Sequence, residues 1–235
     1  MDNMIFEKDF SWRVCDCDNE DVARFSSIWG LFQEAATLHA EHLGIGADDM
    51  HRNDRFWVLA RMKVTVHRYP KRDEAVRVVT KASGSVKLYA VRLYEMYDDK
   101  NEKIAEGVSF WVVLERGTLR MLRGKEMPEL FAGAYEGEML GKIPAGGSDE
   151  IIENIIVHTS DLDVNDHVNN TNYIVWAEDI VRQSGERFYC AEVNYIAQVR
   201  KGEKLSATMD GDIVELAGED GKPVFRAKIN GELRA

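Results

Sequence analysis

The sequence predicts an α+β protein built from two similar halves, each a strand, one long helix and a run of antiparallel strands. Three observations carry this. Apolar residues recur three and four apart over residues 22–44 and again over 169–185, the spacing of a helix with one buried side. Each of these stretches is followed by β-patterned segments separated by turn residues. Between the halves, residues 125–150 lose all periodicity and fill with glycine, proline and acid, the composition of a linker.

Taken in order, "IFEKDFSWRV" (5–14) reads as a strand and "DCDNED" as the loop after it. In 22–44, Phe25, Ile28, Trp29, Phe32, Ala35 and His39 fall on one side of a helix that Gly44 and Gly46 end, and Leu31 and Leu38 add apolar surface elsewhere, so this helix is expected to be buried on most sides. His39 is read as a core histidine, and the acidic loop Asp16, Asp18, Asp21 as helix capping. Strands follow at 55–69, 74–83, 86–98 and 103–115, with "YPKRD", "SGS" and "DDKNE" as turns, and "TLRML" (118–122) as a last short strand. The plan then restarts: "NIIVHTS" (154–160) is a strand, "DLDVNDH" (161–167) a polar loop, 169–185 a helix stopped by Gly185. "RFYCAEVNYIAQVR", "EKLSATMDG", "DIVELAGED" and "PVFRAKING" are strands. "CDCD" at 15–18 and "DLDV" at 161–164 stand at matching places before their helices, as "RFW" (55–57) and "RFY" (187–189) do after them. A sheet wrapping its concave face around one long helix is the hotdog layout. The chain is therefore expected to be a double hotdog: an N-terminal hotdog domain at 1–124, a linker at 125–150 and a C-terminal hotdog domain at 151–235.

Bulk properties narrow the function. A net charge of −11 argues against nucleic acid or an anionic membrane surface as the main partner. Local basic clusters at 66–72 ("VHRYPKR") and 119–125 ("LRMLRGK") read either as solvated loops or as docking points for an acidic partner. Three cysteines, an odd and low number, argue for a reducing compartment. Cys15 and Cys17 have no second Cys/His pair at matching spacing, so no metal and no cofactor are expected. The acidic start "MDNMIFEKDF" is not a signal peptide, and no run of about 18 apolar residues spans a membrane. The expectation is a soluble, cytoplasmic protein.

The candidate site is the loop "DLDVNDHVNN" (161–170). One helix cap needs one or two side chains; this loop carries four acids and amides beyond that, plus His167. Its counterpart in the first half, "DCDNEDVARF", has neither a histidine nor paired asparagines. A helix N-terminus offers unpaired N–H groups and a positive dipole, where an oxyanion is stabilised. A carboxylate, an amide and an imidazole beside such a site are the parts for hydrolysing an acyl group, and histidine as a class changes charge near neutral pH.

"DLDVNDHVNNTNYIVWAED" (161–179), "FWVLARMKVTVHRYPKRDE" (56–74) and "GVSFWVVLE" (107–115) together resemble the acyl-acyl-carrier-protein thioesterases, over nearly the whole chain. The resemblance implies a double hotdog and hydrolysis of fatty acyl-acyl-carrier-protein thioesters, which ends fatty-acid synthesis. Because no transit peptide is read at the N-terminus, it also implies a bacterial-type member. Its catalytic set falls on Asp163, Asn165 and His167. The family's glutamate and, in plant members, its cysteine fall on Gln198 and Val199, which excludes a cysteine nucleophile there and leaves Gln198 to orient a water. Asp163 then acts as base or nucleophile, His167 protonates the leaving thiol, and the backbone N–H groups around Val168 to Asn170, with Asn169 and Asn170 in support, receive the carbonyl oxygen. Trp29, Phe32, Trp57, Met62 and Trp111 are candidates for the acyl pocket, or ordinary core. The implied partner is acyl carrier protein, strongly acidic; a homodimer is permitted. An acyl-CoA thioesterase on the same fold and a non-catalytic acyl-binding protein remain the alternatives.

Overall fold

The computed structural model describes residues 4–127, 131, 133–164, 166–183, 187 and 189–230. It divides into two units, Met1–Leu140 and Gly141–Ala235. The first contains β1 (Ile5–Phe10), α1 (Phe25–His42), α2 (Ala47–Arg52), β2 (Arg55–Val66), β3 (Val76–Val86), β4 (Tyr89–Tyr97) and β5 (Lys103–Glu115). Its strands lie in the order β1-β3-β4-β5-β2, every neighbouring pair antiparallel.

The two-residue period of the strands decides what α1 meets. Along β2, Met62, Val64 and Val66 are buried while Lys63 and Thr65 are partly exposed. Their partners on β5 are small: Ser109, Gly107 and Ala105. That row makes room for the helix. A Cβ on Gly107 would lie 3.2 Å from the Phe32 ring, so glycine lets α1 approach the sheet. Phe32 stacks on Tyr94 at 5.0 Å and both are buried. Burying a side chain of that size contributes about 2–3 kcal/mol. His39 is fully buried in the same layer, its Nδ1 2.7 Å from Arg92 Nη1, as a core histidine should be.

The second unit contains β6 (Ile151–Ile156), α3 (Asn170–Arg182), β7 (Cys190–Tyr195), β8 (Lys204–Asp210), β9 (Ile213–Gly218) and β10 (Pro223–Asn230). Its order is β6-β8-β9-β10-β7, again antiparallel throughout. First strand beside third, helix between first and second: the two units share one strand connectivity, the first adding the short α2. The helical spacing predicts Tyr173, Ile174, Trp176, Ala177, Ile180 and Val181 on the inner face of α3; all are buried except Trp176, which is partly exposed, and Glu178 is buried with them. The α+β double hotdog read from the sequence is the fold observed. Among the described residues no helix is long and apolar enough to cross a membrane.

Several local expectations change. The strand expected over 5–14 stops at Phe10 and gives way to a 3-10 turn at Val14–Asp16. The acids before α1 do not cap it: its N-cap is Arg24, with no side-chain cap bond. Asp16 instead holds Arg13 at 2.7 Å, Asp18 takes the amides of Glu20 and Val22, and Asp21 pairs with Arg72 at 2.6 Å. "SGS" is not a turn. β3 runs through it with a bulge between Ala82 and Ser85, and Gly84 takes the bend with φ +79° where the Gly133 backbone approaches. The turn falls at Lys87 and Leu88 instead. "TLRML" forms a single bridge, Leu114 with Met121, because Leu119 turns left-handed. The helix α2, six residues long, is too short to show a period. Within the expected linker, Met127, Phe131, Leu140 and Ile143 are buried, so its apolar residues serve as packing.

Candidate active site

The loop between β6 and α3 is held by its own polar groups. After β6 a 3-10 turn spans Thr159–Asp161, whose Asp161 carboxylate accepts the His158 amide at 2.7 Å. The chain then folds into a small hairpin. Leu162 and Val168 pair as an antiparallel bridge. The Asp163 amide donates to the His167 carbonyl at 2.8 Å, and the Asp166 amide closes the turn on the Asp163 carbonyl at 3.1 Å. Asp166 sits at φ +61°, a conformation that Asp and Asn adopt more readily than most residues. The Asp163 carboxylate accepts the His167 amide at 3.4 Å. Asp163 and His167 are thus placed across from one another, both partly buried, while Val164 at the tip is exposed. Asn165 lies outside the described residues.

The helix start is capped by Asn169, whose side chain accepts the Thr171 amide at 2.9 Å. Of the amides expected to meet an oxyanion, two are occupied: Val168 donates to Val199 and Asn169 to Asp161. Among the described residues no acceptor lies on the Asn170 amide, the first of α3. Asn169 therefore serves the cap, and Asn170 offers the donor.

A second segment braces the loop. Val199, fully buried, accepts the Val168 amide at 3.1 Å; the Gly202 amide donates to Val157 at 2.9 Å, and the Val157 amide to Glu203 at 3.0 Å. Both ends of the loop are tied to residues 199–203. Gln198, exposed, immediately precedes this brace. Two tyrosines to which the sequence reading gave no role in the site complete the support. The Tyr195 hydroxyl donates to the Asn170 carbonyl at 3.0 Å. Tyr173 is buried against Tyr195 and Phe225, and burial pushes its phenol well above the usual range, while a hydrogen bond from the Val199 backbone acts in the opposite sense. Their signal in the sequence was only apolar periodicity.

The five aromatic and methionine candidates lie in the first unit. Trp29, Phe32 and Met62 are fully buried. The Trp57 indole donates to Ile45 at 3.0 Å and packs beside Met50 and Val113. The Trp111 indole donates to Ser109, which also meets the Tyr94 hydroxyl. A cavity of about 460 Å³ in this unit is lined by Lys63, Lys81, Leu93, Tyr94, Gly107 and Leu140 among others, and by none of the five. Among the described residues no group of three or more His, Cys, Asp or Glu side chains is placed to hold a metal ion.

Two consecutive hotdog units, the second opening its helix with an acid-histidine hairpin, define the class as a tandem hotdog protein. Residues 3–129 match the family model for the acyl-ACP thioesterase N-terminal domain, and residues 147–232 that for the C-terminal domain. The chain belongs to the acyl-ACP thioesterase family. It is 28% identical over 192 residues to an acyl-[acyl-carrier-protein] hydrolase of Cuphea viscosissima, a match covering 74% of this chain and 47% of that protein. The chain thus spans about half the length of such relatives. An acyl-ACP thioesterase of Bacteroides thetaiotaomicron superposes with a TM-score of 0.84 at 22% identity, over 97% of this chain and 98% of that one. The 12:0-ACP thioesterase of Umbellularia californica gives 0.80 at 23%, over 96% of each. At those identities the likeness speaks for the fold.

Proposed function

We propose that this protein hydrolyses fatty acyl-acyl-carrier-protein thioesters, releasing free fatty acid and so ending fatty-acid synthesis. The observation that carries the reading is the hairpin that sets Asp163 opposite His167 at the start of α3. In this reading the thioester oxygen is received by the Asn170 amide at the positive end of the helix. Asp163 takes a proton from a water that attacks the carbonyl carbon, or attacks that carbon itself to form a mixed anhydride that a water then opens, releasing the fatty acid and restoring the carboxylate. The C–S bond breaks, and the proton carried by His167 goes to the departing thiolate. Asn165 and His167 polarise the thioester, and Gln198 orients the water. Val199 takes no chemical part: its side chain is buried and its carbonyl is committed to Val168. The N-terminal unit supplies the acyl-binding side chains, Trp29, Phe32, Trp57, Met62 and Trp111.

Family membership supports acyl carrier protein as the partner. A cytoplasmic location and a homodimer are compatible with the same reading.

The test compares free-thiol release from carrier-protein and CoA thioesters of one chain length, with wild type and folded Asp163→Asn and His167→Ala variants. The reading expects a higher kcat/KM on the carrier substrate and a large loss in both variants. Release no faster than background sinks it, and a preference for CoA moves it to an acyl-CoA thioesterase.

A further inference from the structure

We infer that the turn at Arg200–Gly202 is where the acidic carrier protein docks, an inference that rests on the carrier-protein reading above. At −11 the chain repels an acidic partner overall, so association needs a local cationic point close to the catalytic loop.

The basic clusters that the sequence offers for this are largely spent. Arg68 holds Glu74 and Asp98, each at 2.8 Å. Arg72 holds Asp21, and Arg120 holds Glu126 at 2.9 Å and Glu115 at 3.6 Å. Their charge is largely cancelled before any partner arrives, leaving Lys71, Arg123 and Lys125 to compete as docking points.

Arg200 and Lys201 differ in both respects. They are exposed, and among the described residues neither has a carboxylate partner. Their turn is also the brace of the site: Val199 holds Val168 at one end of the catalytic loop, and Gly202 and Glu203 hold Val157 at the other. Gly202, at φ +83°, makes the bend. Lys204 follows, well exposed and only loosely tied to Glu219 at 3.8 Å. The nearby acids are used inward: Asp161 and Asp163 accept the His158 and His167 amides. Asp166 and Glu203, both exposed, subtract from the cationic field without cancelling it. A carrier seated on Arg200 and Lys201 therefore sits beside the backbone bonds by which Val199, Gly202 and Glu203 hold the two ends of the catalytic loop, bonds in which neither side chain takes part, and its thioester arm is delivered next to that loop.

The test measures two things on wild type and on Arg200→Glu/Lys201→Glu, with Lys71→Glu and Lys125→Glu as competing variants and circular dichroism to check folding. One is the Kd for a purified acyl carrier protein with a fluorescent label on its pantetheine arm. The other is KM and kcat for acyl-carrier-protein and acyl-pantetheine thioesters. The expected result is a Kd and a carrier-substrate KM raised on the order of tenfold, salt-sensitive in wild type, with kcat and the acyl-pantetheine KM changed less than about twofold. An unchanged Kd in the double variant overturns the inference, as does a larger effect from Lys71→Glu or Lys125→Glu. Carrier binding that depends on Arg200 and Lys201 without any hydrolysis would leave this docking point standing and sink the hydrolase reading alone.

Discussion

Asp163 and His167 hold each other through two opposed backbone-linked bonds: the Asp163 amide donates to the His167 carbonyl at 2.8 Å, and the Asp163 carboxylate accepts the His167 amide at 3.4 Å. The carboxylate is therefore both a structural acceptor and the proposed base or nucleophile. Asp163→Asn separates the two roles, because the amide oxygen still accepts from His167 while the negative charge is gone. Fold and melting temperature are expected to hold, with kcat/KM falling roughly 10²–10⁴-fold. Asp163→Ala should lose both, so its melting temperature should also drop, by about 2–4 °C for each kcal/mol lost. Steady-state kinetics beside thermal melts check the pair; a fully active Asp163→Asn would remove Asp163 from the chemistry.

The Val199 position yields a second prediction. A cysteine placed there would restore the residue type that plant members of the family carry, yet the Val199 side chain is fully buried. Val199→Cys is expected to stay as active as wild type and to gain no new sensitivity to iodoacetamide beyond that of the exposed Cys15. Activity measured before and after alkylation, in both proteins, decides it. Fresh inactivation in the variant would show that position 199 reaches the reacting atoms.

How far the sequence could be read follows from which forces leave a periodic mark. α1 and α3 bury one face each, so Phe25, Phe32 and Tyr173 recur at helical spacing and both helices were legible within a few residues. The bulge at Gly84 was not, because a glycine between serines looks the same in a turn and in a bent strand; only the tertiary approach of Gly133 separates them. Asp16, Asp18 and Asp21 looked like helix caps for a similar reason. An acid before a helix can bond its amides, its own loop or a distant arginine, and Arg72 lies 51 residues from Asp21. At the site, the cluster from Asp161 to Asn170 stood out by composition. The bracing by Val199, Tyr195 and Tyr173 did not, since a backbone carbonyl or a packed tyrosine carries no pattern of its own.

Acid should weaken the first unit through Asp98. The Glu102 amide, with the Lys100 amide and the Arg68 guanidinium, holds its carboxyl below the usual aspartate range. A carboxyl depressed in the folded state contributes its full stability above the unfolded pKa, about 3.9, and loses it as pH falls through the folded value. Stability from this group is thus expected to be flat from pH 7 to about 5 and to decline below about 4. Asp98→Asn should flatten that decline in urea unfolding followed from pH 7 to 3. An equally steep decline in the variant would assign it to other carboxylates.

The buried contact between His39 and Arg92 sets the last prediction. Arg92 is a cation in the interior, held below its ordinary pKa range by burial, and its Nη1 lies 2.7 Å from His39 Nδ1 and 3.2 Å from the Thr80 hydroxyl. A guanidinium can only donate, so Nδ1 accepts and the imidazole proton sits on Nε2. Replacing His39 by leucine keeps apolar bulk against Phe6, which stacks on the imidazole at 5.7 Å, but takes an acceptor from a buried charge. The cost is expected to be about 1–3 kcal/mol. Removing the charge as well, in His39→Leu/Arg92→Met, should recover part of that loss, because no buried cation is then left without its acceptor. Urea unfolding of both single variants and the double variant gives the coupling. Strict additivity would show that the two side chains do not depend on each other.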